Sequence, residues 1–245
     1  MTALMGLTGR LRVAKLHLIT DVRSEQGDFR DFVVAALRGG VDMLQVRDAR
    51  AGEDELLEAL EIARSAANQV NATVVVGRNA AVARRFEADV LHLGASDQTE
   101  GARTAVHAYG LLGRSVHDVE DLTAPQADYL FVGPVFDADP TDELQMPGLE
   151  LVRRAAELQP VDDRQATPWF AVGGITAKNI EQVVEAGALR AAVSSAITAA
   201  DDPETAAAGL KLVLQQAWDA NPAMESYAIG SLGGGNARLL TDTAE

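Results

Sequence analysis

The residues best equipped for chemistry sit at the ends of short apolar runs. Gln45 and Arg47 lie two apart, a spacing that points both to one face of an extended strand. The planar fork of an arginine at a strand end suits phosphate; an ion pair with Asp21 or Asp48 is the alternative. Ser115 and His117 also share a face. His117 exchanges protons near neutral pH and is the leading candidate general acid or base, unless it only caps the helix that begins near Asp118. Gly173-Gly174 opens one helix and Ser194-Ser195 another. Glycines admit close backbone approach and helix N-termini present free N–H groups, so these two segments are expected to cradle a phosphate. A tight turn is the other use for such a glycine pair. Asp97 suits a divalent ion, but one carboxylate serves equally well as a helix cap. His92, in the middle of an apolar run, reads as a hydrogen-bonded core histidine.

These residues need a scaffold that brings strand ends together, and the rest of the chain supplies one. Short apolar runs alternate with longer amphipathic ones: Leu16–Thr20, Asp42–Val46, Thr73–Val76, Asp89–Leu93, Leu111–Arg114, Tyr129–Val132, Trp169–Val172 and Ala191–Ser194 read as strands. Between them fall helical patterns such as Phe29–Leu37, Asp54–Gln69, Asp118–Leu122, Leu149–Leu158 and Thr176–Glu185. The last helix starts with Asp202 as N-cap and Pro203 at its first position. About eight strand–helix units predict a single (β/α)8 TIM barrel over residues 12–219, with its site at the C-terminal ends of the strands. A doubly wound open sheet fits less well, because the glycine fingerprint after its first strand is missing. The first ten or so residues and residues 220–245, where Gly230 and Gly233–Gly235 interrupt polar sequence, are expected to be loosely held.

Composition narrows the function further. The 245 residues match one barrel, and 47% hydrophobic content is ample for its core. A formal charge of −15 argues against nucleic acid as a partner. No run approaches the length of a membrane span, and Arg10, Arg12 and Lys15 interrupt any signal-like segment, so a cytoplasmic location is expected. With no cysteine, disulfides, thiolate catalysis and Cys-ligated metals are excluded.

In order along the chain come Leu18-Ile19-Thr20-Asp21, Gln45-Val46-Arg47-Asp48 and Ala88–Gly94 with Asp97. They are followed by Gly113-Arg114-Ser115-Val116-His117, Gly133-Pro134-Val135-Phe136, Ala171–Ile175 and Val193–Ile197. Over roughly residues 14–215 this resembles the thiamine phosphate synthase family, which includes the TenI-type thiazole tautomerases. The resemblance implies small phosphorylated heterocycles as substrates, with Gln45, Arg47, Ser115 and Gly133 contacting them. Gly173, Gly174, Ser194 and Ser195 would hold a phosphate, and association as a homodimer is common. A synthase of this kind joins a pyrimidine pyrophosphate to a thiazole phosphate and expels pyrophosphate with Mg2+, for which Asp97 would be a ligand. A tautomerase moves a proton within a thiazole carboxylate phosphate and needs no cofactor; His117 would be its acid/base.

The chain departs from the synthase pattern at several points. Gly77-Arg78 stands where an Asn-Asp pair is usual, and Ala49-Arg50 where a lysine follows the Gln-x-Arg-Asp motif. Ala138, Asp139, Pro140 and Thr141 replace a Thr-x-Thr-Lys loop. Losing one contact to developing negative charge typically costs ~10²–10³ in rate. The expectation is therefore a thiazole tautomerase. A modified synthase, with Arg50 and Arg78 restoring positive charge, and a non-catalytic phosphate-binding barrel are the alternatives.

Overall fold

The computed structural model describes residues 6–123, 126–136 and 147–232. Eight parallel strands close into a barrel in chain order: β1 (Leu16–Thr20), β2 (Met43–Val46), β3 (Thr73–Gly77), β4 (Val90–Leu93), β5 (Leu111–Val116), β6 (Tyr129–Val132), β7 (Trp169–Val172) and β8 (Ala191–Val193), which pairs back onto β1. The helices are α1 (Leu7–Val13), α2 (Phe29–Arg38), α3 (Glu53–Ala67), α4 (Ala80–Phe86), α5 (Glu120–Thr123), α6 (Gly148–Leu158), α7 (Ile180–Glu185), α8 (Ser195–Thr198), α9 (Pro203–Ala220) and α10 (Ala223–Leu232). A single 3-10 turn, Ala102–Ala105, replaces a helix between β4 and β5. The fold is the (β/α)8 TIM barrel that the alternating pattern predicts.

Period-two alternation sorts the strand residues into two cores. Leu18, Leu44, Val76, Leu91, Leu112, Leu130, Ala171 and Val193 face outward into the layer of helices. Met43, Val75, Val90, Leu111, Tyr129, Phe131, Phe170 and Ala192 fill the barrel interior. Both faces are buried, which is why the strands read as nearly continuous apolar runs. Two histidines lie inside among the aromatic rings, His17 with its centroid 4.8 Å from Phe131 and His92 at 3.9 Å. Burial pushes His17 down to about 3, so it is neutral at physiological pH.

Local differences from the sequence reading have local causes. β5 runs on to Val116, since Arg114 turns outward to bond the Ala95 carbonyl and Ser115 bonds inward, both compatible with a strand. α7 begins at Ile180 instead of Thr176. The Asn179 side chain takes the Thr176 N–H at 2.7 Å and donates to the Gly174 carbonyl at 2.9 Å, so the intervening residues form a turn. At α9 the expected cap is present: Asp202 accepts from the Thr205 N–H at 3.1 Å. Leu7–Val13, expected to be loose, is helical because Leu11 seats in the interior core. Residues Ala223–Leu232 form α10, whose Met224 and Tyr227 pack on Trp218 and Leu189. The rest of the expected tail, from 233, lies outside the described residues, as does the loop carrying Ala138, Asp139, Pro140 and Thr141.

Candidate active site at the barrel mouth

At the C-terminal mouth the inward-facing positions turn from apolar to polar. On β2, Gln45 is buried and Arg47, one step further, is exposed to the mouth. The Gln45 Oε1 atom has no hydrogen-bond partner among the described residues, which leaves a buried acceptor at the foot of the mouth. Asp21 and Asp48 face Arg50 and not Arg47. Among the described residues Arg47 forms no ion pair, with Asp21, Asp48 or any other carboxylate.

The next strand contributes Arg78, which the sequence offers as a replacement cation. Arg78, just past β3, has φ of 59°, a left-handed conformation that non-glycine residues seldom adopt. Its N–H continues the β3–β4 ladder by bonding the His92 carbonyl at 2.7 Å. Its side chain then crosses β4 above Gly94, where an added Cβ would lie 2.8 Å from the guanidinium carbon. Arg47 crosses β3 in the same way: a Cβ on Gly77 would sit 2.6 Å from the Arg47 Cβ. Two arginines thus lie side by side, each in a lane that a glycine on the next strand keeps open. The signal was legible, since Gly77 and Gly94 both fall at inward positions where a side chain would otherwise be expected.

Arg78 is held by Asp97 through a bidentate fork, Nε to Oδ2 at 2.8 Å and Nη2 to Oδ1 at 2.6 Å. The Gly94 N–H adds a third bond to Oδ2 at 2.7 Å. Arg78 first, and the Gly94 amide with it, holds the Asp97 carboxyl below its usual range. Asp97 is therefore neither a simple helix cap nor a free ligand. The magnesium implied by the family resemblance finds a poor donor set, because both Asp97 oxygens are committed to a cation. No group of three or more His, Asp or Glu side chains suited to a metal occurs among the described residues. Arg50 does not add charge to the mouth, since it pairs outward with Glu25 and Asp48.

The neighbouring wall carries an oriented relay. His92 lies buried with Nδ1 3.1 Å from the Tyr129 hydroxyl and Nε2 3.1 Å from Ser115 Oγ. Burial first, then the adjacent His17 and Arg47, keeps His92 well below the usual imidazole range. Neutral and fixed at both nitrogens, it is the core histidine the sequence suggests, and it pins Ser115 at the mouth. In either tautomer the Ser115 hydroxyl keeps hydrogen-bonding capacity for a ligand. His117, just beyond β5, donates from Nδ1 to the Gly133 carbonyl. It does not cap α5, and this bond leaves Nε2 as the acceptor nitrogen facing away from Gly133.

Across the barrel from β3 and β4 stand β7 and β8. Gly173 and Gly174 have φ of 106° and 57°, and a Cβ on Gly173 would meet Pro134 at 2.6 Å. Both glycines are thus required by the turn and by the close approach of the segment after β6, whose Val135 and Phe136 amides bond the Val172 and Gly173 carbonyls. The β7–β8 register pairs Val172 with Ala192, so both segments leave the sheet at the same rim. Ser194 and Ser195 are exposed at the mouth, and α8 begins at Ser195. The structure brings Gly173, Gly174, Ser194 and Ser195 together on one wall, and Arg47, Arg78 and Asp97 on the other.

A closed eight-stranded barrel with its polar groups gathered at the C-terminal mouth is the layout of a TIM-barrel enzyme. A family model described as thiamine monophosphate synthase matches residues 16–197. The chain is 43% identical over 219 residues to the thiamine-phosphate synthase of Saccharopolyspora erythraea, covering 85% of this chain and 96% of the relative. It is 44% identical over 222 residues to that of Mycobacterium tuberculosis, covering 85% and 98%. Among solved structures, a thiamine phosphate pyrophosphorylase from Pyrococcus furiosus superposes with a TM-score of 0.72 at 29% identity, over 86% of this chain and 99% of that one. The chain belongs to the thiamine monophosphate synthase family.

These relatives overturn the expectation of a thiazole tautomerase. Relatives at 41–44% identity carry the synthase name. The departures at Gly77-Arg78 and Ala49-Arg50 weighed toward the tautomerase in the sequence, and the synthase-named relatives favour the modified synthase in which Arg78 supplies a cation. His117, for which the sequence suggests proton transfer, bonds the Gly133 carbonyl through Nδ1.

Proposed function

We propose that this member of a thiamine-biosynthetic enzyme family is a thiamine phosphate synthase, a transferase that joins a pyrimidine pyrophosphate to a thiazole phosphate. The observation that carries the proposal is the pairing of two anion-suited walls across one mouth. One substrate brings a phosphate and the other a pyrophosphate, and the two walls differ accordingly. Gly173, Gly174, Ser194 and Ser195 offer backbone and hydroxyl donors sized for a monophosphate. Arg47 and Arg78 offer delocalised charge suited to a larger anion that gains charge during the reaction.

The thiazole nitrogen attacks the methylene carbon of the pyrimidine; the carbon–oxygen bond to pyrophosphate breaks, and its electron pair leaves on the pyrophosphate oxygen. Arg47 and Arg78 face that developing charge. Ser115, oriented by His92, and the buried Gln45 acceptor hold the rings between the two walls, so that the reacting atoms meet in line. His117 fixes Gly133 and the segment that packs on Gly173, a positioning role.

Incubating the full chain with both substrates and Mg2+, and resolving the products by mass spectrometry, tests the proposal. Thiamine phosphate should accumulate with turnover. Its absence at enzyme concentrations equal to substrate would refute the assignment.

A further inference from the structure

We propose that Arg78, clamped by Asp97, is a resident cation that binds the pyrophosphate group without a divalent metal. The proposal rests on the synthase reading for the identity of its ligand, and on the geometry of the mouth for everything else.

Asp97 engages the Nε–H of Arg78 and one N–H of Nη2. A guanidinium has five N–H donors, so three remain, those on Nη1 and the second on Nη2. They lie on the side of the fork away from Asp97. The clamp therefore fixes the plane of the guanidinium and leaves donors for an anion. Arg78 also holds a positive φ of 59° at the end of β3, and Gly94 keeps the lane under its guanidinium open. Persistent left-handed backbone at a non-glycine residue marks a position that the surroundings over-determine, typically at a functional site.

The pair of Arg78 and Asp97 is formally neutral. The net positive charge of this wall comes from Arg47, which lacks a carboxylate partner among the described residues. Arg47 draws the anion and Arg78 orients it. When the carbon–oxygen bond breaks, the electron pair stays on the pyrophosphate oxygen and the thiazole nitrogen lone pair forms the new carbon–nitrogen bond. No proton has to move in that step, so two fixed guanidinium groups suffice as its electrostatic partners.

Two assays of the full chain, each in EDTA and in Mg2+, test this. Calorimetric titration with inorganic pyrophosphate should show binding in EDTA, weakened at least ~10-fold in Arg78→Gln, as expected for loss of a charge-assisted fork. Arg78→Lys, which keeps a cation, should fall between the two and serves as the folding control. Turnover of the two synthase substrates should differ by no more than a few-fold between EDTA and Mg2+. Arg78→Asp, which places a second carboxylate beside Asp97, should make turnover depend on Mg2+. Pyrophosphate binding that requires Mg2+ in the wild type, or is indifferent to Arg78→Gln, overturns the proposal. Turnover abolished by EDTA also overturns it while leaving the synthase reading intact. Absence of turnover in either buffer, with Arg78-dependent binding in EDTA, refutes the synthase reading and supports the resident cation.

Discussion

The two ends of this barrel both carry arginines against a glycine- or aromatic-lined surface, and they put them to opposite uses. At the N-terminal end, Arg190 is 1% exposed, bonds the Arg12 carbonyl at 2.9 Å and lies 5.2 Å from the Trp218 ring and 5.6 Å from Tyr227. Lys15 stacks on the same Trp218 at 4.2 Å. α1 and α10 pack against each other and cover this end. At the mouth, Arg47 and Arg78 are partly exposed and keep N–H donors free. At the closed end the packed aromatic surface contributes stability, while burial disfavours the charged forms of Arg190 and Lys15; a charge left in an open lane beside glycine is available to a ligand. This matches the rule that the two faces of such a barrel divide stability from chemistry.

Substitutions at the two ends should therefore separate stability from turnover. The largest effect is expected at the closed end. Trp218→Ala removes the surface shared by Lys15, Arg190 and Tyr227 and should cost about 3–5 kcal/mol. For a chain of this size that lowers the midpoint on the order of 10 °C in a thermal melt, with kcat unchanged below the transition. At the mouth, Arg47→Ala should lower kcat/KM by ~10²–10³, while the melting midpoint stays within about 2 °C because the side chain is exposed. If Arg47→Ala unfolded the protein, or Trp218→Ala abolished turnover, the division between the ends would be wrong.

Smaller effects sharpen the comparison. His117→Ala loses one hydrogen bond, to the Gly133 carbonyl, worth about 1 kcal/mol. Steady-state kinetics should show a fall of no more than about tenfold, in contrast to the complete loss expected of an essential acid/base. The smallest effect is a pH dependence at the closed end. Burial, aided by Lys211, lowers Lys15 from 10.5 to about 8. Between pH 8 and 10.5 the unfolded chain holds a proton on Lys15 that the folded chain has released, so this group's contribution to stability rises with pH across that window. Denaturant titrations should show the wild type gaining on Lys15→Met as pH rises from 8 to 10.5. A constant difference would contradict the burial of this amine.

Most of the barrel was legible because its strands are buried on both faces and its helices alternate with them in length and period. The grouping of Gly173 and Gly174 with Ser194 and Ser195 was legible because both pairs follow adjacent strands at the same rim. The closed end was not. α10 lies in glycine-containing sequence next to residues that carry no periodic signal, and only the Met224/Tyr227 spacing hints at its buried face. Thr176–Asn179 reads as helix because its turn depends on one asparagine bonding in two directions. Arg78 was visible as a residue but not as a site. Gly94 marks an open inward position in the sequence, but the positive φ of Arg78 and its pairing with Asp97, on the loop after the next strand, have no signature there.

The central claim is that the two walls of the mouth hold two phosphorylated substrates for one bond-forming step. Phosphorus NMR of the full chain with the pyrimidine pyrophosphate and the thiazole phosphate follows that step directly. Thiamine phosphate and free pyrophosphate should appear in equal amounts, and Arg47→Ala should slow both together. Pyrophosphate released without thiamine phosphate, or no change in either substrate, would contradict it.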